Sequence, residues 1–226
     1  MLNRWVRYFP ILRELEDGGS AGLILEVGSG SLGLGEFLPA PFVGCDLLFD
    51  GPTRSPNLLP VCASGAALPF PDGAFDTVLC LDTLEHVERR HRLAVLREAV
   101  RVARSIVIVG APMGERALKA DQALSGFYRR MQRPVPLWLE EHMTLQDEFP
   151  TRGEMMNVIG AIGARFDVRE GESARFHFVL SVLEALPGIR SLLALLSRSP
   201  WNSIIVPLLK PFNRSGTYRT YFIVRK

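Results

Sequence analysis

The 226-residue sequence is poor in the residues on which disulfide-rich and zinc-binding proteins depend. Its three cysteines, Cys45, Cys62 and Cys80, are an odd number and lack the CxxC or Cys/His spacing of zinc ligands. We therefore expect reduced cysteines in a cytoplasmic protein and predict no metal site. The longest apolar runs fall far short of the roughly 20 residues that span a bilayer, so no membrane-spanning helix is predicted.

The sequence also lacks an excess of charge of one sign. Its 26 basic and 24 acidic residues leave a net charge of +2, which gives no indication of a nucleic-acid partner. The N-terminal segment MLNRWVRYFPILRELEDG is amphipathic and carries acidic residues early, which is not typical of a signal peptide. With 47% hydrophobic residues, the chain can form one domain with a sizeable core.

Short apolar runs that stop at turn signals predict buried parallel strands. These runs are Leu23–Val27, Phe42–Cys45, Phe75–Leu81 and Ser105–Val109. Apolar residues at helical spacing predict a helix over Glu85–Ala103. Strands that alternate with helices are typical of a doubly wound, mostly parallel α/β sheet, which is the fold that we predict.

The second half of the chain gives weaker signals. Thr151, with Glu154 three residues later, predicts a capping box and a helix that ends near Gly163. A strand is expected over Phe166–Val168, and the alternating segment Thr217–Lys226 is predicted to be the last strand.

The first candidate site is the glycine-rich loop Glu26-Val-Gly-Ser-Gly-Ser-Leu-Gly33, with Asp46 downstream. Gly28 and Gly30 let a ligand approach the backbone, and the N-terminus of a following helix is expected to add exposed N–H groups. A carboxylate at Asp46 can accept hydrogen bonds from both hydroxyls of a ribose. Taken alone, the pattern fits a nicotinamide cofactor, an adenosyl cofactor, or a loop and a turn aspartate without a ligand.

The segment Leu68–Val87, LPFPDGAFDTVLCLDTLEHV, distinguishes between these cofactors. With Glu26–Gly30 and Asp46, it resembles class I S-adenosylmethionine-dependent methyltransferases. Within that class it is similar to the small-molecule branch of the ubiquinone and menaquinone biosynthesis methyltransferases. The resemblance covers residues 23–112 and implies a Rossmann-like fold of seven strands. It also implies S-adenosyl-L-methionine as the cofactor and S-adenosyl-L-homocysteine as the product.

The resemblance implies which residues bind the cofactor. The backbone around Gly28 and Gly30 would hold the methionine part, with Glu26 behind it, and Asp46 would take the ribose hydroxyls. The full implied set is Glu26, Gly28, Ser29, Gly30, Asp46, Leu47, Ala63, Ser64, Gly65 and Leu81. The sequence departs from the family pattern at Leu32, where a glycine is usual, and at Ser64, where an acid is common.

Two histidines are candidate catalytic residues. His86 is expected at the mouth of the substrate side, where an imidazole can remove a proton near neutral pH. A structural role for His86 is the alternative. His142 follows the fifth strand, where substrate-facing elements lie. Its neighbour Glu141 would point about 100° away on a helix, so no Glu141–His142 dyad is predicted. His91 and His177 are expected to be surface or core residues.

The C-terminal part is basic and apolar. From residue 173 to 226, Glu184 is the one acid against eight Lys or Arg. We interpret residues 176–216 as a helical insert that forms a lid over the sheet. Peripheral contact with an anionic membrane face and homodimerisation are the alternatives.

These observations predict a methyltransferase that acts on a small or lipid-linked acceptor. The stretches FVLSVLEALPG and SIIVPLLKP favour an apolar acceptor. Within one domain over residues 1–226, we expect an N-terminal helix (1–22), a cofactor-binding core (23–112), a substrate-side segment (113–175), the insert (176–216) and the last strand (217–226). A nicotinamide-dependent oxidoreductase and a catalytically silent cofactor-binding subunit remain alternatives. The sequence leaves the oligomeric state and the methylated atom open.

Overall fold

The chain folds around a seven-stranded sheet with helices packed on it. The computed structural model describes residues 2–17, 22–49, 51–189, 191 and 216–226. The strands are β1 (Ile24–Val27), β2 (Phe42–Asp46), β3 (Leu58–Cys62), β4 (Phe75–Leu81), β5 (Ala103–Pro112), β6 (Arg165–Glu170) and β7 (Arg219–Arg225). The helices are α1 (Leu2–Asp17), α2 (Arg89–Val102), α3 (Gly114–Arg130), α4 (Leu137–Thr144), α5 (Arg152–Gly160) and α6 (Ala174–Ala185).

The sheet has the strand order β3-β2-β1-β4-β5-β7-β6. Strands β1 to β5 are parallel, whereas β7 runs antiparallel to both of its neighbours, β5 and β6. The prediction of a doubly wound, mostly parallel sheet is therefore confirmed, with one antiparallel strand added. Because β1 to β4 are parallel, their carboxyl ends meet at one edge, where open α/β sheets bind ligands.

Strand β3 has no counterpart among the runs picked out from the sequence. Its residues Leu58–Cys62 include Pro60, which disfavours a strand in a sequence pattern because proline lacks an N–H donor. The strand lies at the edge of the sheet and pairs with β2 alone among the described strands. An edge position leaves one side of the backbone without a partner, so Pro60 is tolerated there.

Two predicted helix starts are wrong. The helix expected from Glu85 begins at Arg89, because Val87 and Glu88 have extended backbone and Leu84–His86 forms a single 3-10 turn. The glycine-rich loop is followed by the 3-10 turn Gly33–Glu36 in place of an α-helix. The N-cap half of the predicted capping box is confirmed, since the Thr151 side chain accepts a hydrogen bond from the Glu154 backbone N–H. The Glu154 carboxylate pairs with Arg92 instead of returning to Thr151.

The hydrophobic core lies on both faces of the sheet, because alternate residues of a strand point to opposite faces. On β4, Val78 and Cys80 pack with α2 and α5 residues on one face, and Leu79 and Leu81 pack with α1 residues on the other. Full burial of each such aliphatic side chain contributes about 1.5–3 kcal/mol. The core therefore fixes the carboxyl end of β4, from which the site residues project.

The C-terminal insert is described only in part. Helix α6 lies within it, and its Leu180 packs against Leu2 and Val6 of α1. Residue 190 and residues 192–215, which include SIIVPLLKP, lie outside the described residues, so the lid and the membrane contact stay predictions. Among the helices described here, none has the length and hydropathy needed to cross a membrane.

Candidate active site

The glycine-rich loop is held against the end of β2 by backbone hydrogen bonds. Gly28 has a φ of +74° and donates its N–H to the Cys45 carbonyl at 2.8 Å. Gly30 has a φ of +55° and donates its N–H to Asp46 Oδ2 at 2.9 Å. Leu47 donates its N–H to Asp46 Oδ1 at 2.8 Å. Each Asp46 oxygen keeps a further lone pair, so the carboxylate can still accept two hydroxyl hydrogens.

The space around this loop fits an adenosyl ligand. A Cβ added at Gly30 would meet no atom within 4 Å, so a ligand has room to approach the backbone. The Leu47 side chain is 75% exposed directly after Asp46, which leaves an apolar surface for the face of a base. The loop, the acid and the leucine thus meet the requirements of the cofactor that the sequence predicts.

The predicted residues after β3 lie at the same edge of the sheet. Ala63 donates its N–H to the Asp46 carbonyl at 2.9 Å, which places the turn beside Asp46. Ser64 is exposed, and its Oγ accepts the Ala66 N–H at 3.2 Å. Gly65 follows at a half-buried position. The serine hydroxyl still has its own proton and a second lone pair for a ligand.

Glu26 lies behind the loop rather than facing the ligand space. Its carboxylate accepts hydrogen bonds from the Tyr8 hydroxyl at 2.6 Å and from the Leu34 N–H at 2.7 Å. Burial raises the pKa of Glu26 to about 7, against the opposing effect of these two hydrogen bonds. The residue therefore ties the glycine-rich loop to α1. Leu81 is likewise buried, and its side chain packs in the cluster that contains Tyr8.

Replacement of Gly28 with alanine tests the loop. A Cβ at Gly28 would lie 2.2 Å from Thr83 Oγ1, a hydroxyl that donates to the Val27 carbonyl. Gly51→Ala is the matched control, because Gly51 also has a positive φ but open space around it. Both variants carry a backbone penalty of about 1–2 kcal/mol, and Gly28→Ala is expected to lose a further 1–3 kcal/mol by overpacking. Urea unfolding of both variants measures the difference, and equal losses would contradict it.

A cavity of about 430 Å³ adjoins the end of β4. It is closed by side chains of α1, α3, α4 and α6 together with residues at the start of β7. Its lining residues are Asn3, Arg4, Arg7, Asp82, Glu85, His86, Tyr128, Trp138, His142, His177, Ser181, Glu184, Tyr218 and Arg219. Most of these side chains are polar or charged, and the remainder are aromatic. The cavity therefore suits a compact polar molecule.

A buried ion-pair network forms one wall of the cavity. Both Arg219 Nε and Nη2 donate to the Asp82 carboxylate at 2.6 Å, and Arg7 Nη2 lies 2.7 Å from Asp82 Oδ2. Arg219 also pairs with the buried Glu172. Burial alone would raise the pKa of Asp82, but Arg219 and Arg7 hold it well below its usual range. Asp82 has a φ of +47°, so the network also keeps an unusual backbone conformation in place.

The two candidate histidines meet in this cavity, each beside a different carboxylate. His86 Nδ1 lies 2.7 Å from Glu141 Oε2, and His142 Nδ1 lies 2.8 Å from Asp121 Oδ2. The two rings are 4.8 Å apart between centroids. Glu141 and His142 each lie beside a partner other than one another: Glu141 lies beside His86, and His142 lies beside Asp121.

The surroundings of His86 keep its imidazole neutral. Burial lowers the pKa of His86 to about 4, and the nearby His142 adds to this effect. A neutral imidazole at pH 7 can accept a proton or donate an electron pair, but a pKa of 4 makes it a weak base. His91 is exposed, whereas His177 is buried, stacks on Tyr218 and also lines the cavity, which the sequence did not predict.

Sequence analysis missed the partners that shape this cavity. Asp121 and Arg219 lie far from His142 and Asp82 along the chain, and neither stands in a recognisable motif. The one available signal was Asp82 itself, an acid directly after the buried strand β4.

Comparison with known proteins shows what this chain resembles. Residues 25–108 match the profile of the family described as methyltransferase domain. No curated protein sequence matches the chain. The solved structures that the chain resembles include two methyltransferases. The magnesium protoporphyrin IX methyltransferase of Synechocystis PCC 6803 with bound S-adenosylhomocysteine has a TM-score of 0.57 and 13% identity, over 99% of this chain and 84% of that one. A methyltransferase of Thermotoga maritima, described as a possible histamine N-methyltransferase, has a TM-score of 0.57 and 15% identity, over 100% and 91%.

A third match, an S-adenosylmethionine-dependent methyltransferase of Archaeoglobus fulgidus, has a TM-score of 0.57 and 15% identity, over 99% of this chain and 94% of that one. At these identities the likeness shows the fold, while the branch predicted from the sequence stays a prediction. Residues 25–108 therefore resemble a methyltransferase domain in sequence, and the whole chain has the Rossmann-like fold of the S-adenosylmethionine-dependent methyltransferases that it matches.

Proposed function

We propose that this protein transfers a methyl group from S-adenosylmethionine to a small polar acceptor held in the cavity beside β4. The observation that carries the proposal is that both halves of the site lie at the carboxyl ends of neighbouring strands. Gly28 follows β1 and Asp46 ends β2, while Asp82 and His86 follow β4, the neighbour of β1 on its other side. The cofactor-binding loop and the cavity therefore share one edge of the sheet.

The residues of the chain contribute mainly by placing the reactants. S-adenosylmethionine supplies a sulfonium methyl group, whose transfer disperses charge and gains most from in-line alignment. Asp46 would accept the ribose hydroxyls, and the backbone at Gly28 and Gly30 would lie along the methionine part. Trp138 and the other aromatic side chains of the cavity would restrict the acceptor to one orientation.

The described lining favours a polar acceptor over the apolar one expected from FVLSVLEALPG. Helix α6 contains the first eight residues of that stretch, and the helix residues His177, Ser181 and Glu184 line the cavity. Their spacing of four and three residues places them on one helix face. Leu180 lies on the same side of the helix, where it packs against Leu2 and Val6 of α1. Within the stretch, Leu180 is buried whereas Val179 is 53% exposed, and the polar residues Ser181 and Glu184 line the cavity.

Thermal unfolding with added nucleotides tests the cofactor. S-adenosylhomocysteine at a hundredfold excess over its dissociation constant adds about 2.7 kcal/mol of stability, which corresponds to a rise of roughly 5–10 °C in melting temperature. NAD and NADP are expected to cause no shift. A rise with a nicotinamide nucleotide alone would favour the oxidoreductase. Cofactor binding without methyl transfer to any of a panel of small polar acceptors would favour the silent subunit.

Asp46→Ala tests the position of the ribose. Loss of the carboxylate removes two hydroxyl acceptors and the hydrogen bond from Gly30, so affinity for S-adenosylhomocysteine should fall by about 1–3 kcal/mol. Asp72→Ala is the control, because Asp72 is 82% exposed and precedes β4, at the opposite edge of the sheet. Isothermal titration calorimetry measures both variants. Unchanged affinity in Asp46→Ala would place the ribose elsewhere.

A further inference from the structure

Three potential metal-ligating side chains converge inside the cavity. Glu85, His86 and His142 each offer one ligand atom, and these atoms lie within 4.8 Å of one another. All three residues line the cavity. Glu85 and His86 belong to the 3-10 turn after β4, and His142 lies on α4. Because α2 begins only at Arg89, Glu85 and His86 lie in a 3-10 turn that contacts α4. The sequence predicted a helix from Glu85, so this cluster was not expected from it.

The orientation of His142 is fixed by a buried carboxylate. Its Nδ1 lies 2.8 Å from Asp121 Oδ2, and the Tyr218 hydroxyl donates to Asp121 Oδ1 at 2.9 Å. In the neutral ring Nδ1 carries the proton, because a carboxylate can only accept, and Nε2 then has a lone pair. His142 is 2% exposed, and Nε2 has no hydrogen-bond partner among the described residues. A carboxylate that orients a histidine through its other nitrogen is typical of metal ligands.

The second buried ligand is the Glu85 carboxylate. Glu85 is 1% exposed, and its Oε2 has no hydrogen-bond partner within the described part of the chain. Its Oε1 lies 3.9 Å from His142 Nε2, a separation that a bridging ion can span. An unpaired polar atom at this depth is unfavourable, and a cation beside it offsets the cost.

We propose that Glu85, His86 and His142 bind a divalent first-row transition-metal cation within the cavity. Two imidazole nitrogens and one carboxylate oxygen suit Zn²⁺, Mn²⁺, Fe²⁺ or Co²⁺ better than Mg²⁺ or Ca²⁺, which favour all-oxygen sites. Glu141 Oε2 lies 2.7 Å from His86 Nδ1, but this nitrogen has no hydrogen-bond partner within the described part of the chain, so the orientation of His86 is not fixed as that of His142 is. Asp82 supplies a nearby negative charge that is already paired with Arg7 and Arg219.

Three protein ligands leave coordination positions open toward the cavity. An oxygen or nitrogen of the acceptor can fill such a position, which would hold the nucleophile beside the methyl donor. This last step rests on the proposed function, whereas cation binding itself does not. The acceptor class that follows is a small molecule with a hydroxyl or amine able to bind a metal.

A titration with Co²⁺ tests the site on the metal-free full-length chain. We expect one Co²⁺ per chain by calorimetry and visible absorption, displaced by Zn²⁺ and not by an equal amount of Mg²⁺. His86→Gln and His142→Gln should each weaken Co²⁺ binding by roughly a hundredfold, and Asp121→Asn by about 10–100-fold through loss of orientation. His91→Gln is the matched control, since His91 is exposed at the start of α2 and should bind Co²⁺ like the unaltered chain.

Affinity for S-adenosylhomocysteine separates failure of the metal site from failure of the fold or of the proposed function. The half-buried His86 tolerates replacement more readily than the buried His142, so His86→Gln should retain normal affinity for S-adenosylhomocysteine while losing Co²⁺. Co²⁺ binding that survives in both His86→Gln and His142→Gln would overturn the assignment. A complete lack of Co²⁺ and Zn²⁺ binding by the unaltered chain would overturn it as well, whatever the result for the methyl donor.

Discussion

Arg219→Met is expected to lower the free energy of unfolding by about 3–5 kcal/mol, because it leaves buried carboxylates without their main partner. Arg219 is buried between Asp82 and Glu172, and its guanidinium satisfies both. Methionine fills much of the same volume, so loss of charge accounts for most of the effect. Urea unfolding measures the change, which corresponds to a decrease of roughly 10 °C in melting temperature.

Arg90→Met is the control for this prediction, since the Arg90 side chain is 74% exposed and pairs with Glu88 at the surface. Exposed pairs of this kind contribute about 0–1 kcal/mol. A double variant, Arg219→Met with Glu172→Gln, should recover part of the loss because it removes one of the two orphaned charges. If the free energy of unfolding falls no more in Arg219→Met than in Arg90→Met, then Arg7 alone compensates the charge of Asp82.

Stability is also expected to depend on pH through Glu26. Burial raises the pKa of Glu26 to about 7 from an ordinary value of 4.5, so the folded state holds the proton more tightly than the unfolded state. The resulting stabilisation is fully present below pH 4.5 and is lost as the pH rises through about 7. At 1.36 kcal/mol for each pKa unit, this contribution is roughly 3 kcal/mol.

Glu26→Gln isolates this effect, because glutamine resembles the protonated acid and cannot titrate. The stability of the unaltered chain relative to Glu26→Gln should fall by roughly 3 kcal/mol between pH 4.5 and pH 8. Chemical unfolding of the unaltered chain and of Glu26→Gln at several pH values measures this difference. Subtracting one stability from the other removes the contribution of groups that titrate far from Glu26. A constant difference over this window would show that Tyr8 and Leu34 stabilise the ionised carboxylate as well as water does.

The sequence predicts those parts of the fold whose residues form a recognisable pattern within one short segment. The strands around Val27 and Leu81 are apolar on both faces and end in glycine or acid, so they are recognisable without a structure. The glycine-rich loop and Asp46 follow from the same logic, since the residues that hold a ribose must lie at strand ends. Strand β3 was missed because Pro60 contradicts the local pattern while the edge position permits it.

The cavity could not be predicted, because its contacts join residues that are distant along the chain. Arg7, Asp82 and Arg219 come from α1, the end of β4 and β7, and each is an ordinary surface residue type in its own segment. The same holds for Asp121 and His142, whose hydrogen bond depends on how α3 and α4 pack. A single sequence does not show which helices pack together or which of their residues form pairs. The charged lining of the cavity therefore could not be predicted from any one segment.

The position of β7 in the sheet has a consequence for synthesis on the ribosome. Strand β7 lies between β5 and β6, and β6 pairs with β7 alone among the described strands, yet β7 is translated last of the three. A nascent chain therefore carries an open β5 edge while more than 100 further residues are added, roughly 5–20 s at ordinary elongation rates. Open apolar edges recruit other strands, so this protein should depend on chaperones during translation more than its finished fold suggests.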